Sequence, residues 1–143
     1  MPIRLLPDQI PAFWEAIKYA SVNTNMVEEK YRGRYLNRLL YLLLSDKAQC
    51  FVELDDQRRL EKIMITKIVQ DEITDNKTLF ISALYAFRKG SEMTWLKHLD
   101  WFRDFARSRG CRTMTTWIYD EKVARICERV GMRNRIKSYV MEV

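Results

Sequence analysis

Few side chains in this sequence are of the types that do nucleophilic, acid–base or metal chemistry. His98 is the only histidine, so a histidine-cluster metal site is excluded and a histidine-dependent triad can be built only around it. The three cysteines, Cys50, Cys111 and Cys127, are odd in number and lack Cys-x-x-Cys spacing. This pattern is typical of a reducing compartment and favours buried, inert thiols over a disulfide framework or a zinc site.

Basic side chains are concentrated in the last third of the chain. Residues 101–143 contain ten basic and five acidic residues, whereas residues 1–100 contain fifteen and fourteen. Such clustering can attract a phosphorylated ligand, a nucleic acid or an acidic partner, and an arginine-rich solvated face explains it equally well. Because the basic residues are dispersed through an amphipathic pattern instead of forming a compact arm, we do not expect nucleic-acid binding.

Length and composition predict a single domain over residues 1–143. The chain is 48% apolar and 31% charged, with only 4 Gly and 3 Pro, which is enough apolar sequence for a real core. The longest apolar run, residues 39–44, is far short of the roughly 20 residues that a membrane span needs. The first residues lack the apolar segment of a signal peptide. We therefore expect a soluble cytoplasmic protein with no membrane association.

The first part of the chain predicts two helices followed by three strands. Apolar residues recur at helical spacing after Pro7, with Asp8 as a candidate N-cap, and a broad apolar stripe covers residues 27–44. A short strand before the first helix is a further expectation. Three β-rich segments separated by short turns then favour an antiparallel meander. These segments are residues 48–54, 60–69 and 78–87.

The second part alternates helix and strand. Helices are predicted over residues 92–108 and 122–130, and strands over residues 112–119 and 136–143. Gly110 and Gly131 follow the two helices, where a left-handed terminus favours glycine. The order α-α-β-β-β-α-β-α-β predicts a mixed α/β (α+β) sheet, antiparallel at first and parallel across the crossover helix.

This order, with a strand-loop-helix junction after Phe87 and a Gly-aromatic-like ending at Gly131-Met132, resembles the GNAT superfamily of N-acetyltransferases. The resemblance extends from about Ile3 to Val143 and is strongest between Thr78 and Met132. It implies a GNAT-like fold, acetyl-CoA as the cofactor and an amine as the substrate.

The family's phosphate loop, Arg/Gln-x-x-Gly-x-Gly/Ala, matches residues 88–93. In the family, backbone N–H groups and the positive end of the following helix hold the pyrophosphate of coenzyme A. Here Ser91 and Met93 replace small residues of the motif, and Glu92 adds a negative charge. The alternative is an ordinary helix start with Ser91 as N-cap. The resemblance implies six cofactor-binding residues at this loop: Phe87, Arg88, Lys89, Gly90, Ser91 and Met93.

A second family motif runs Asn-x-x-Ala-x-x-x-Tyr-x-x-x-Gly-Phe. Anchored on Gly131-Met132, it places Asp120 at the Asn position, Val123 at the Ala position and Cys127 at the Tyr position. That tyrosine protonates the departing thiolate of coenzyme A in many members. The resemblance therefore implies Cys127 as general acid and Asp120 as a cofactor-binding residue. The alternative is that Cys127 only packs its helix against the sheet.

No general base stands out. The predicted strand over residues 78–87 contains no carboxylate or histidine. Four acidic residues on or near neighbouring strands could act through a water chain, and no spacing selects one of them. They are Glu53, Glu61, Asp71 and Glu72.

Two hypotheses of different classes follow from the resemblance. The first is an acetyl-CoA-dependent N-acyltransferase with weakened phosphate-loop and general-acid positions. The alternative is a catalytically inactive GNAT-like structural or interaction module, for example a phage virion component located in the host cytoplasm or the virion. Such a module is expected to form a homo-oligomer or a larger protein assembly. A basic domain associated with nucleic acid is the least favoured hypothesis.

Overall fold

The computed structural model describes residues 1–88 and 98–143. Within these residues the chain forms five strands, a short 3-10 helix and four α-helices. In order they are β1 (Ile3–Leu5), the 3-10 helix (Pro7–Gln9), α1 (Ile10–Asn25), α2 (Glu29–Leu44), β2 (Ala48–Leu54), β3 (Leu60–Gln70), β4 (Lys77–Ala86), α3 (Leu99–Ser108), β5 (Cys111–Thr116) and α4 (Glu121–Arg129).

The strands form one sheet in the spatial order β1-β2-β3-β4-β5. The first four strands pair antiparallel, and β4 pairs parallel with β5. A parallel pair requires a crossover connection, and the segment that contains α3 supplies it. The predicted mixed sheet is therefore confirmed, and β1 is the expected short N-terminal strand.

Alternation along β3 divides the core between the two faces of the sheet. Ile63 and Ile65 belong to a buried cluster with Ile17 of α1 and Leu43 of α2, so these two helices cover one face. Met64 belongs to a separate cluster on the other face. Burial of each such side chain stabilises the fold by about 1.5–3 kcal/mol.

Aromatic side chains fill the second face, beneath α3. Phe51 of β2 is fully buried and makes edge contacts with three rings of the helix. The ring centroids lie 5.4 Å from Trp101, 5.5 Å from Phe102 and 5.1 Å from Phe105. This cluster fixes the described part of α3 against the sheet.

Glycine ends α3 and α4, as predicted. Gly110 has a φ of 76° and Gly131 a φ of 88°, values that favour glycine because it lacks a Cβ atom. After α4, the Gly131 N–H donates to the Glu128 carbonyl and the Met132 N–H to the Cys127 carbonyl, both at 3.0 Å. The chain therefore leaves α4 in a defined direction.

The predicted strand over residues 136–143 is wrong, because residues 133–143 contain no strand and their side chains are exposed. Ile136 is 83% exposed and Tyr139 is 88% exposed. The alternating apolar pattern suits a strand, but a strand also needs a hydrogen-bonded neighbour. No described residue pairs with the outer edge of β5.

The start of α1 differs from the sequence prediction, and the predicted helix over residues 92–108 is described only in part. Asp8 does not cap α1, because it lies inside the 3-10 helix that precedes α1. The Leu6 N–H donates to the Gln9 side chain at 2.8 Å, and this hydrogen bond caps the 3-10 helix. The predicted helix over residues 92–108 is described only from α3 onward, and its first part lies outside the described residues.

No helix in residues 1–88 or 98–143 is both long and apolar enough to cross a membrane.

Candidate functional site

The central feature of the site is the parting of β4 from β5. The two strands are paired as far as Ile81, opposite Thr116, where the Thr116 hydroxyl donates to the Ile81 carbonyl at 2.9 Å. Beyond this point β5 ends, whereas β4 continues to Ala86 and remains paired with β3 as far as Lys62. One side of residues 82–86 is therefore without a neighbouring strand in the described part of the chain.

A β-bulge in β4 lies at the point where the strands part. Ile65 is opposite Ala83 and Thr66 is opposite Ile81, so Ser82 is an extra residue in β4. The Ser82 hydroxyl donates to the Ile65 carbonyl at 3.4 Å. An extra residue bends a strand and increases its twist, which accounts for the departure of β4 from β5. Sequence reasoning missed this bulge; its only signal is one serine in an otherwise apolar run.

Phe87 and Arg88 extend beyond the end of β4. The Phe87 N–H donates to the Glu61 carbonyl at 2.9 Å. The Phe87 ring lies 5.0 Å from the Tyr85 ring and 6.2 Å from the Tyr19 ring, measured between centroids. The rings thus hold Phe87 against α1, and the next residue, Arg88, is exposed.

The rest of the predicted phosphate loop is not described. Four of its predicted cofactor-binding residues lie outside residues 1–88 and 98–143. They are Lys89, Gly90, Ser91 and Met93. Their roles stay predictions.

Asp120 and Cys127 both belong to the α4 region, but they have different environments. The Asp120 carboxylate accepts a hydrogen bond from the Lys122 N–H at 2.9 Å and so caps the start of α4. Cys127 is half-buried, and burial followed by the nearby charge of Glu128 raises the pKa of its thiol. At neutral pH the Cys127 thiol is therefore protonated.

A buried charged cluster lies on the sheet face that α3 covers. The Lys62 ammonium lies 3.0 Å from one oxygen of the Glu53 carboxylate, and His98 Nε2 lies 3.1 Å from the other. The amino group of Met1 approaches Glu53 at 3.5 Å. Burial alone would raise the pKa of Glu53, but the hydrogen bond and charge of Lys62, together with the other cations, lower it. Glu53 is thus a structural carboxylate that ties the start of α3 to the sheet.

The other three candidate bases occupy different ends of the sheet. Asp71 and Glu72 lie in the turn before β4, and the Asp71 carboxylate accepts hydrogen bonds from two N–H groups of that turn. About ten residues of strand, at roughly 3.3 Å each, separate this turn from the end of β4. Glu61, in contrast, is the second residue of β3 and lies beside Phe87, whose N–H donates to the Glu61 carbonyl. Of the four carboxylates, Glu61 combines a place at the parted end of β4 with a partly exposed side chain.

Comparisons with known proteins add to this geometry. A scan against protein-family models finds no match, and a search of the curated proteins finds none. Among solved structures, a probable acetyltransferase matches with a TM-score of 0.75 and 13% identity, over 100% of this chain and 97% of its own. An aminoglycoside acetyltransferase from an uncultured soil metagenomic sample matches with a TM-score of 0.71 and 17% identity, over 100% and 97%.

A third solved structure is described with its cofactor. It is a predicted acetyltransferase with acetyl-CoA from Clostridium acetobutylicum, which matches with a TM-score of 0.72 and 9% identity, over 99% of this chain and 95% of its own. These matches run the length of both chains, and at such low identities they establish the fold. The chain has the mixed α/β fold of the GNAT acetyltransferases.

Proposed function

We propose that this protein transfers an acetyl group from acetyl-CoA to the nitrogen of an amine. The observation that carries the proposal is the parting of β4 from β5 at the Ser82 bulge, within a fold that acetyltransferases share. The parted strands leave peptide groups of residues 82–86 without a β5 partner. A ligand that is extended and rich in amide groups can add to such an edge as a strand would.

The residues around this edge fit coenzyme A. The amides of its pantetheine arm suit the backbone groups of residues 82–86, and its pyrophosphate suits the positive charge of Arg88 just beyond them. Phe87, held by the rings of Tyr19 and Tyr85, fixes the point from which Arg88 projects. Asp120 supports this arrangement indirectly by capping α4.

When bound, acetyl-CoA supplies an acetyl group activated as a thioester. Backbone N–H groups on the open side of β4 stabilise negative charge on the acetyl oxygen. Cys127 is the proton donor to the departing sulfur, since its raised pKa keeps the thiol protonated at neutral pH. Glu61, at the parted end of β4, accepts the proton from the amine through water.

The experiment that tests this proposal is acetyl-CoA turnover with a panel of primary amines, followed by release of the free thiol and by mass spectrometry of the product. We expect thiol release that depends on the amine and a product heavier by one acetyl group. Thiol release that is the same with and without every amine, with no acetylated product, would contradict the proposal.

One observation favours the second candidate function, an inactive interaction module. The C-terminal segment, residues 133–143, exposes several large apolar side chains, and the outer edge of β5 has no partner strand in the described part of the chain. These side chains are Ile136, Tyr139, Val140, Met141 and Val143. Apolar surface and open strand edges of this kind mark contacts between chains. In this alternative the segment mediates a homo-oligomer or a larger assembly such as a virion.

A further inference from the structure

A cavity lies on the sheet face opposite α3, between α2 and the strands. Its volume is about 440 Å³, which is within the usual range for small-molecule sites. Leu39 and Leu42 of α2 line it from one side, and Ala48 and Ile65 line it from the sheet. Leu39, Ala48 and Ile65 are buried. This part of the cavity is therefore an apolar surface suited to a hydrocarbon or aromatic group.

Three cationic side chains line the same cavity. Arg34 and Arg38 stand one turn apart on α2, and Lys67 projects from β3. No carboxylate lines the cavity, and none of the three cations forms an ion pair with any residue in the described ranges. Like charges four residues apart destabilise a helix slightly. A bound anion would relieve this repulsion.

Aromatic side chains and the bulge residue complete the lining. Tyr31 and Tyr35 of α2 and Phe80 of β4 contribute ring surface. The Tyr35 hydroxyl accepts a hydrogen bond from the Asn25 side chain at 3.1 Å, which fixes the Tyr35 ring. Ser82 also lines the cavity, so the cavity extends to the residue at which β4 parts from β5.

We propose that this cavity is the acceptor site and selects an amine whose apolar or aromatic body carries a carboxylate or phosphate group. The inference rests on the proposed acetyl transfer. The apolar lining takes the body of the amine, and Arg34, Arg38 and Lys67 take its anionic group. The amine nitrogen forms a bond to the acetyl carbon, the C–S bond breaks, and one proton of the amine is balanced by one on the released thiol. The same three cations oppose a polycationic acceptor such as an aminoglycoside.

The test compares two probes with the same aromatic body and opposite charges, 3-phenylpropionate and 3-phenylpropylamine. Binding of each to the full chain is measured by calorimetry without acetyl-CoA, so the result does not depend on turnover. We expect 3-phenylpropionate to bind at least tenfold more tightly than the amine and to lose affinity as salt rises. The substitutions Arg34→Gln and Arg38→Gln should each weaken its binding about fivefold, because each removes one cation near the anionic group.

The matched control is Arg32→Gln. Arg32 is exposed on the same helix, its Nε donates to the Val27 carbonyl at 3.1 Å, and it does not line the cavity. We expect this variant to bind 3-phenylpropionate as the unmodified chain does. Equal affinity for the two probes, or equal losses in all three variants, would overturn the inference.

The two proposals fail in distinguishable ways. Selective binding of 3-phenylpropionate without any acetyl transfer to amines would contradict the proposed function and support an anion-selective cavity. Acetyl transfer that is fastest with polycationic amines and unaffected by Arg38→Gln would support the proposed function and overturn the assignment of this cavity.

Discussion

At the scale of single residues, Cys127 is the side chain whose chemistry is most directly testable. A general acid must be protonated to act, and burial raises the pKa of this thiol. Turnover should therefore hold through neutral pH and fall as pH rises through the raised pKa. We expect Cys127→Ala to lower kcat roughly tenfold or more and to remove this alkaline fall. The measurement is kcat against pH for both proteins.

The affinity for acetyl-CoA is the control for Cys127→Ala, and it should change little, because the thiol is assigned to proton transfer. An unchanged kcat together with an unchanged pH profile would remove Cys127 from the mechanism. The side chain would then serve only to pack α4.

The buried pair of Glu53 and Lys62 makes a prediction about stability. Lys62 is 1% exposed, and its ammonium lies 3.0 Å from the Glu53 carboxylate and 4.0 Å from the Glu61 carboxylate, so Glu53→Gln removes the nearer of these two carboxylates. We expect a loss of about 1.5–3 kcal/mol in the free energy of unfolding, measured by urea denaturation, because one hydrogen bond to a buried charged group is lost. The double variant Glu53→Gln/Lys62→Met should regain much of this loss, because it removes the buried charge.

The pH dependence of this pair has a definite sign. The cations around Glu53 lower its pKa in the folded chain. The contribution of Glu53 to stability is therefore fully present above the pKa that this carboxyl has in the unfolded chain. The contribution is lost as pH falls through the lower folded pKa. Glu53→Gln should therefore lose less stability than the unmodified chain on acidification. If Glu53→Gln were as stable as the unmodified chain, or if Glu53→Gln/Lys62→Met were less stable than Glu53→Gln alone, the interpretation of Glu53 and Lys62 as a stabilising buried pair would be contradicted.

At the scale of elements, two substitutions of Asp120 distinguish a role in capping α4 from direct contact with the cofactor. Asp120→Ala removes the hydrogen bond from the Lys122 N–H to the Asp120 carboxylate. This loss of the N-cap should lower the stability of α4 by about 1 kcal/mol. Asp120→Asn keeps a good cap and provides the residue of the GNAT motif. We expect faster amide hydrogen exchange in α4 and weaker acetyl-CoA binding for the Ala variant only. Equal effects of both substitutions would show that the Asp120 charge, and not its cap, matters.

Sequence patterns predict most of these elements because each has a strong local signal. The strand predicted over residues 48–54 has the bounds of β2, and the glycines after α3 and α4 adopt the expected left-handed conformation. The C-terminal strand fails for the opposite reason, because pairing depends on a neighbour that local sequence does not specify. The bulge at Ser82 is missed likewise, since one extra residue changes register without changing composition.

The candidate site is less predictable than the elements, because it joins distant segments. Glu53, Lys62 and His98 come from β2, β3 and the start of α3. The only local indication of this cluster in the sequence is that Glu53 and Lys62 are charged residues within otherwise apolar strand segments. The acceptor cavity likewise combines Arg34 and Arg38 of α2 with Lys67 of β3. Only the resemblance to a family marks Arg88, Asp120 and Cys127 in advance.

At the scale of the whole molecule, the exposed C-terminal segment tests the alternative function. Deletion of residues 134–143 removes its apolar side chains and keeps the glycine that ends α4. If the segment mediates assembly, sedimentation velocity should show a larger species for the full chain and a monomer for the shortened one. A full chain that is monomeric at about 100 µM, well above the roughly micromolar affinity of ordinary interfaces, would contradict the assembly role.

Binding of acetyl-CoA to the open side of β4 is the central claim, and calorimetric titration of the full chain with acetyl-CoA tests it most directly. We predict saturable binding with a Kd between about 1 µM and 1 mM, the range of ordinary enzyme substrates. Arg88→Glu should weaken binding at least tenfold, whereas Arg32→Glu, a charge reversal outside the site, should not. No detectable binding at millimolar acetyl-CoA would contradict the claim.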